Sequence, residues 1–175
     1  YLDEIVVGVG PGGFTGIRIG IATALGLGQG LGIPVRGAST LEALALGAAV
    51  VGRWANVVVA PVIDARRGQV FAAAYVMGED GDIDTVVAPA AWEPADFASA
   101  LGAVGPSVVA GDGAHLLQLP TGARRAHGGA VDRVSAVRLV DRVRAGGERP
   151  VAPEYLRLPD AEENRLRRLR EEAPA

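Results

Sequence analysis

The run "GVGPGGFTGIRIG", from Gly8 to Gly20, sits between a short apolar stretch and a helical-looking one. A glycine-rich loop at such a junction can cradle a phosphate on the helix N-terminus. Gly8, Gly10 and Gly13 fit the spacing of a dinucleotide-binding loop. The acid that should follow about 20 positions on to hold a ribose is missing, because the next strand, "IPVRG", carries Arg36 in its place. A P-loop needs a terminal Gly-Lys-Ser/Thr. This loop ends in Phe-Thr-Gly-Ile-Arg, and the chain contains no lysine.

The remaining chemical inventory is sparse. With no cysteine there are no disulfides, thiolate nucleophiles or cysteine-bound metals, which fits a reducing cytoplasm. Two histidines, His115 and His127, are not spaced as metal ligands on a helix face. Asp80, Asp82 and Asp84 resemble the start of a calcium loop, but Thr85 and Ala91 stand where its glycine and glutamate belong. No G-x-S-x-G elbow is present, and chain order supports no Ser-His-Asp set. No catalytic or metal-ligating residue is therefore assigned. Arg124, Arg125, Arg133, Arg138, Arg142 and Arg144 form a basic concentration, read as a solvated face with a nucleic-acid phosphate contact as the alternative. A net charge of −3 creates no global field for nucleic acid.

The elements that position the loop alternate in type. "EIVVGV" reads as a buried parallel strand, followed by a helix over 17–31 and a strand "IPVRG". Ser39 or Thr40 then caps a helix with Glu42 in its first turn. This order argues for α/β layering. Beyond Arg53, "NVVVAPVIDA" and "QVFAAAYVM" are strands joined by "RRG", a hairpin signal, and "TVVAPAAW" is a third strand. A helix over 93–102, a strand in "SVVAGDG" and an amphipathic segment with Val134, Val137, Val140 and Val143 follow. "PVAPEYLRLP" reads as extended, and the charged tail as a solvated helix with Glu163–Arg167 and Arg168–Glu172 four apart.

The first helix is unusual. Gly16, Gly20, Ala24 and Gly28 fall at i, i+4 spacing, and glycine inside a helix costs about 0.5–1 kcal/mol relative to alanine. Between Ile19 and Val35 only Gln29 is strongly polar, but the stretch is short, glycine-rich and contains Pro34, which argues against a membrane span. A helix apolar all round is buried, by its own fold or by a partner, and its composition leaves both open.

The run "VGVGPGGFTGIRIGIATALGLGQGLGIPVRGASTLEALA", with "PVIDARRGQVFAAAY", "VVAGDGA" and "YLRLPDAE", closely resembles the bacterial TsaB (YeaZ) family. The resemblance implies an actin/hexokinase-like (ribonuclease H-like) two-lobed α/β fold with its first lobe truncated. Residues 1–53 would be the remainder of that lobe, 54–159 the second lobe, and 160–175 a charged tail. The family's opening hairpin, third strand and helix, with their Asp-Thr-Ser-like start, have no counterpart ahead of Tyr1. The implied role is a non-catalytic scaffold for TsaD, the catalytic subunit, with the ATPase TsaE, in making threonylcarbamoyladenosine beside the tRNA anticodon. ATP is used by the assembly, no cofactor is assigned to this chain, tRNA is met only through the complex, and a homodimer is an option in isolation. The setting is cytoplasmic, without a membrane.

The family pairs through its first lobe, which places the partner interface at Phe14, Thr15, Gly16, Arg18, Ile19, Gly20, Thr23, Ala24, Leu27 and Gly28. In active relatives of the fold an Asp-x-Gly hairpin turn grips a phosphate. The matching turn here is Asp64-Ala65-Arg66-Arg67-Gly68, with Arg66 in the glycine's place, so a plain turn or a residual anion contact by Arg66 and Arg67 are the two readings. Gly111, Asp112 and Gly113 resemble the fold's adenosine-touching turn and equally a plain strand-to-helix turn. The alternative function is a nucleotide-binding phosphotransferase of the same fold.

Overall fold

A computed structural model describes residues 1–54, 56–78, 82–126, 128–129 and 131–157. Two sheets form its frame. In the first, β1 (Ile5–Gly10) pairs in parallel with β2 (Val35–Ser39), and β2 pairs antiparallel with a short β8 (Glu148–Arg149). The second has the order β5-β4-β3-β6-β7. Its strands are β3 (Val58–Arg66), β4 (Gln69–Met77), β5 (Ile83–Trp92), β6 (Ser107–Ala110) and β7 (Ala123–Arg125). The β3–β4–β5 meander is antiparallel, whereas β6 and β7 run parallel to β3.

Among the described residues four α-helices cover these sheets. The first, α1 (Phe14–Leu31), starts at Phe14, three residues before the point the sequence predicts, because Gly13 with φ −63° and ψ 124° supplies an extended N-cap. It ends on Gly32 at φ 67°, the left-handed cap glycine provides. The second, α2 (Thr40–Gly52), begins at Ser39, one of the two predicted caps, whose hydroxyl accepts from the Glu42 amide at 3.4 Å. Helices α3 (Pro94–Val104) and α4 (Ala136–Arg144) complete the set. Helix α4 is amphipathic as predicted, but the valine row is not its apolar face. Ser135 caps the helix, so Val134 lies outside it, and Val137 is 59% exposed while Val143 is buried. A three-residue step falls short of a 3.6-residue turn, so the valines wander off one face.

The core explains the layering. Val9, Ile17 and Ile21 cluster with Val7 and Val151 between α1 and the first sheet. On the far face of that sheet, Leu139 of α4 lies against Gly8. Helix α2 is buried on most of its circumference, and Leu41, Ala45 and Ala48 pack with Val59, Tyr75 and Ala110 on the second sheet. The opposite face of that sheet packs Val62, Ala72 and Val109 against Phe97 and Leu101 of α3. Helix α2 thus serves both sheets, and the lobes share a layer.

A division at residue 53 consequently misses one feature. The segment 136–157 returns to the first sheet: α4 packs on α2 and β8 adds to β2. Beyond β8 the chain crosses the end of β1, where the Glu154 amide donates to Val9 O at 2.8 Å. A Cβ on Gly10 would stand 2.6 Å from Glu154 O, so this crossing needs glycine there. Arg157 finally donates to Gln69 Oε1 at 3.2 Å on the second sheet. The tail pairs Glu163–Arg167 and Arg168–Glu172, together with Asp80 and His127, lie outside the described residues.

Candidate functional site: the first helix and the cleft beside it

Helix α1 turns Ile17, Ile21, Ala24 and Gly28 inward. The i, i+4 row of small residues therefore does not lie on one face. Each four-residue step overshoots a turn by about 40°, so the row swings by about a third of the circumference from Gly16 to Gly28. A Cβ on Gly16 would meet nothing within 4 Å, one on Gly20 would lie 3.9 Å from Val7, and one on Gly28 only 2.4 Å from Val35 Cγ2. Ala24, 5% exposed, and Gly28 thus turn toward the chain's own sheet and away from the outward face.

The outward face carries other residues. Thr15, Ile19, Thr23 and Leu27 are exposed, as the interface reading requires, with Ile19 at 62% and Leu27 at 54%. Ala22, Gly26, Gly30 and Leu31 join them and were missed by the sequence reading. Gly26 and Gly30 face open space. A helical projection centred opposite Ile17 and Ile21 would have found them. Phe14 and Arg18 sit at the N-terminal margin, where Phe14 stacks on Tyr155 with ring centroids 5.1 Å apart. No described helix is long and apolar enough to cross a membrane.

A cleft of about 650 Å³ opens beside this margin. Gly12 to Thr15, the β3–β4 turn, Asp112 and residues 154–157 line it. The hairpin that "RRG" predicts closes in a two-residue turn, one residue tighter than the run suggests: Arg66 pairs with Gln69, and Arg67 and Gly68 take φ 58° and 80°. Arg66 occupies glycine's conformation at φ 64°. Its amide donates to Asp64 Oδ1 at 2.7 Å and its guanidinium pairs with Asp64 Oδ2 at 3.0 Å. The Asp64 carboxylate is therefore engaged by its own turn. Asp112 Oδ1 accepts from the Asp64 amide at 3.1 Å, which ties the two turns together. A Cβ on Gly111 would lie 2.2 Å from Val62 O, and one on Gly113 2.8 Å from Asp64 N. Close packing on β3 accounts for both glycines.

Between the sheets lies a buried polar cluster that the sequence reading did not foresee. Glu42, with 4% of its side chain exposed, accepts from Arg142 Nε at 2.5 Å and also from Arg149. The bond to Glu42 raises the Arg149 pKa. Burial raises that of the Glu154 carboxyl, partly offset by Arg149 and reinforced by Glu42. Burial, with Glu42 and Glu154 nearby, also pushes the Tyr75 hydroxyl up. The basic concentration does not form one face: Arg142 serves Glu42, Arg138 pairs with Asp141 at 2.6 Å, and Arg125 donates to Ala114 O and Leu117 O. Among the described residues no group of three or more His, Cys, Asp or Glu side chains could hold a metal.

This arrangement has known counterparts. Residues 1–124 match the family model for TsaD, tRNA N6-adenosine threonylcarbamoyltransferase. The chain belongs to this family, among its TsaB (YeaZ) members. The tRNA threonylcarbamoyladenosine biosynthesis protein TsaB of Bacillus subtilis is 45% identical over 74 residues, 42% of this chain and 31% of that protein. An uncharacterized protein of Mycobacterium tuberculosis is 39% identical over 163 residues, 91% of this chain and 66% of its own length. The solved structure of YeaZ from Pseudomonas aeruginosa superposes with a TM-score of 0.68 at 28% identity, over 89% of this chain and 74% of that one. The chain thus spans under a third of the Bacillus TsaB and two thirds of the mycobacterial relative. The likeness to YeaZ gives the α/β architecture its actin/hexokinase-like assignment.

Proposed function

We propose that this chain is a non-catalytic partner subunit in tRNA threonylcarbamoyladenosine synthesis, docking on TsaD through the outward face of α1. The observation that carries the reading is that face itself. It is a regular 18-residue helix, seated on its sheet by one side, whose other side presents Ile19, Ala22, Thr23, Gly26, Leu27 and Gly30. An apolar face of that kind, with glycines that admit close backbone approach, fits a protein interface. The TsaB relatives supply the pathway. TsaE joins the assembly, ATP is turned over there, tRNA is contacted through the complex, and the setting is cytoplasmic. A homodimer through the same face forms when TsaD is absent.

The cleft supports the non-catalytic part of the reading, since the Asp64 carboxylate is taken up by Arg66. Calorimetric titration with TsaD tests the proposal. Gly26→Leu should weaken binding at least about tenfold, because a bulky side chain on the close-approach line separates the helices. Unchanged affinity in a folded variant rejects it. ATP binding by the isolated chain, lost in Asp64→Ala, would favour the phosphotransferase reading instead.

A further inference from the structure

Arg18 is the single charged residue of α1, and it stands at the margin of the outward apolar face. Its guanidinium is held in place. The Cζ atom lies 3.8 Å from the Phe14 ring centroid and 5.5 Å from that of Tyr155, and Nε donates to Tyr155 Oη at 2.5 Å. The Arg36, Arg66 and Arg138 guanidiniums each pair with a carboxylate, at 3.0, 3.0 and 2.6 Å, whereas Arg125 and Arg157 are taken up by carbonyl oxygens and Arg124 packs on Trp54, away from the α1 face. Among the described residues Arg18 pairs with no carboxylate. With Nε committed to Tyr155, the two terminal nitrogens form the fork still able to take an anion.

Resting on the docking reading above, we propose that Arg18 is a specificity residue of that surface and receives a carboxylate from TsaD, on an otherwise apolar docking segment. Packing over the Phe14 ring and the Nε bond to Tyr155 hold the guanidinium in place, so a carboxylate meets a pre-oriented donor pair. When a partner covers the apolar face, the guanidinium loses water and must be answered by an anion. A second copy of this chain offers none from α1, whose 18 residues contain no acid. Arg18 therefore favours TsaD over a second copy, which the same face takes only when TsaD is absent, in the manner of rim charges that set partner choice and association rate.

The test measures Kd and association rate for purified TsaD, from about 50 to 300 mM salt, with wild type, Arg18→Gln, Arg18→Lys and Gly26→Leu. Arg18→Gln is expected to bind about fivefold more weakly at low salt, to associate more slowly and to show a flatter salt dependence. Arg18→Lys keeps the charge without the fork, so it retains the salt dependence and recovers part of the affinity. If Gly26→Leu weakens binding while Arg18→Gln matches wild type, the carboxylate contact is overturned and the docking face stands. If Arg18→Gln weakens binding with the wild-type salt dependence intact, Arg18 only braces Tyr155 and the proposal is again overturned. No effect from Gly26→Leu removes the docking reading, and the proposal with it. Loss of homodimer, but not of TsaD binding, in Arg18→Gln also overturns it.

Discussion

Glu42 offers a sharp test of how the returning C-terminal segment is held. Its side chain is 4% exposed and bridges Arg142, 13% exposed, and Arg149, 45% exposed. Removing one partner of a buried pair costs about 3–5 kcal/mol, because the remaining charge is left without compensation. The Arg149 contact is half in solvent and adds about 1 kcal/mol at most. Glu42→Leu should therefore lose about 3 kcal/mol, and Arg142→Met a similar amount. With a urea m-value of about 2 kcal/mol per molar, each midpoint falls by about 1.5 M. The double variant replaces the pair with apolar bulk and should lose at least about 2 kcal/mol less than the sum of the singles. Urea unfolding of the four proteins completes the cycle. Additive losses, or a Glu42→Leu loss below about 1 kcal/mol, would show that the bridge does not hold α4 and β8 to α2.

Two other outcomes follow from burial and from space. Glu154 has a folded pKa above its ordinary 4.5, so below 4.5 its contribution is fully favourable, and that contribution is lost as pH rises through the raised value. Glu154→Gln, neutral throughout, should melt higher than wild type at about pH 8, with the gap closing as pH falls; a constant gap counts against a buried carboxylate. In α1, Gly30→Ala enters open space and should gain about 0.5–1 kcal/mol, a rise of about 1–4 °C in Tm. Gly28→Ala must push Val35 Cγ2, 2.4 Å away, and should melt lower; equal shifts would refute the assigned inward face.

Much of the frame is legible in the sequence because local signals dominate there. Ser39 caps α2, "RRG" closes the β3–β4 hairpin, and the apolar run of β1 precedes a glycine loop and helix, all as the residue types require. The inward face of α1 is harder to read. Its residues are apolar on nearly every side, so no polar stripe marks the outside, and the i, i+4 row of glycines drifts between faces. The path of residues 148–157 is also hidden. A strand of two residues and an irregular crossing have no periodicity, and their partners, Val9, Tyr155 on Phe14 and Gln69, are set by tertiary contact. Glu42 reads as an ordinary first-turn acid; only the return of Arg142 and Arg149, more than a hundred positions away in the chain for the latter, makes it a buried bridge.

The proposed docking of α1 on TsaD is tested most directly by amide hydrogen exchange of the chain alone and mixed with TsaD. Exchange should slow most in peptides covering residues 14–31, with little change along β5, which lies at the far edge of the second sheet. Protection concentrated on β5 or α3, with α1 exchanging as in the free chain, would contradict it.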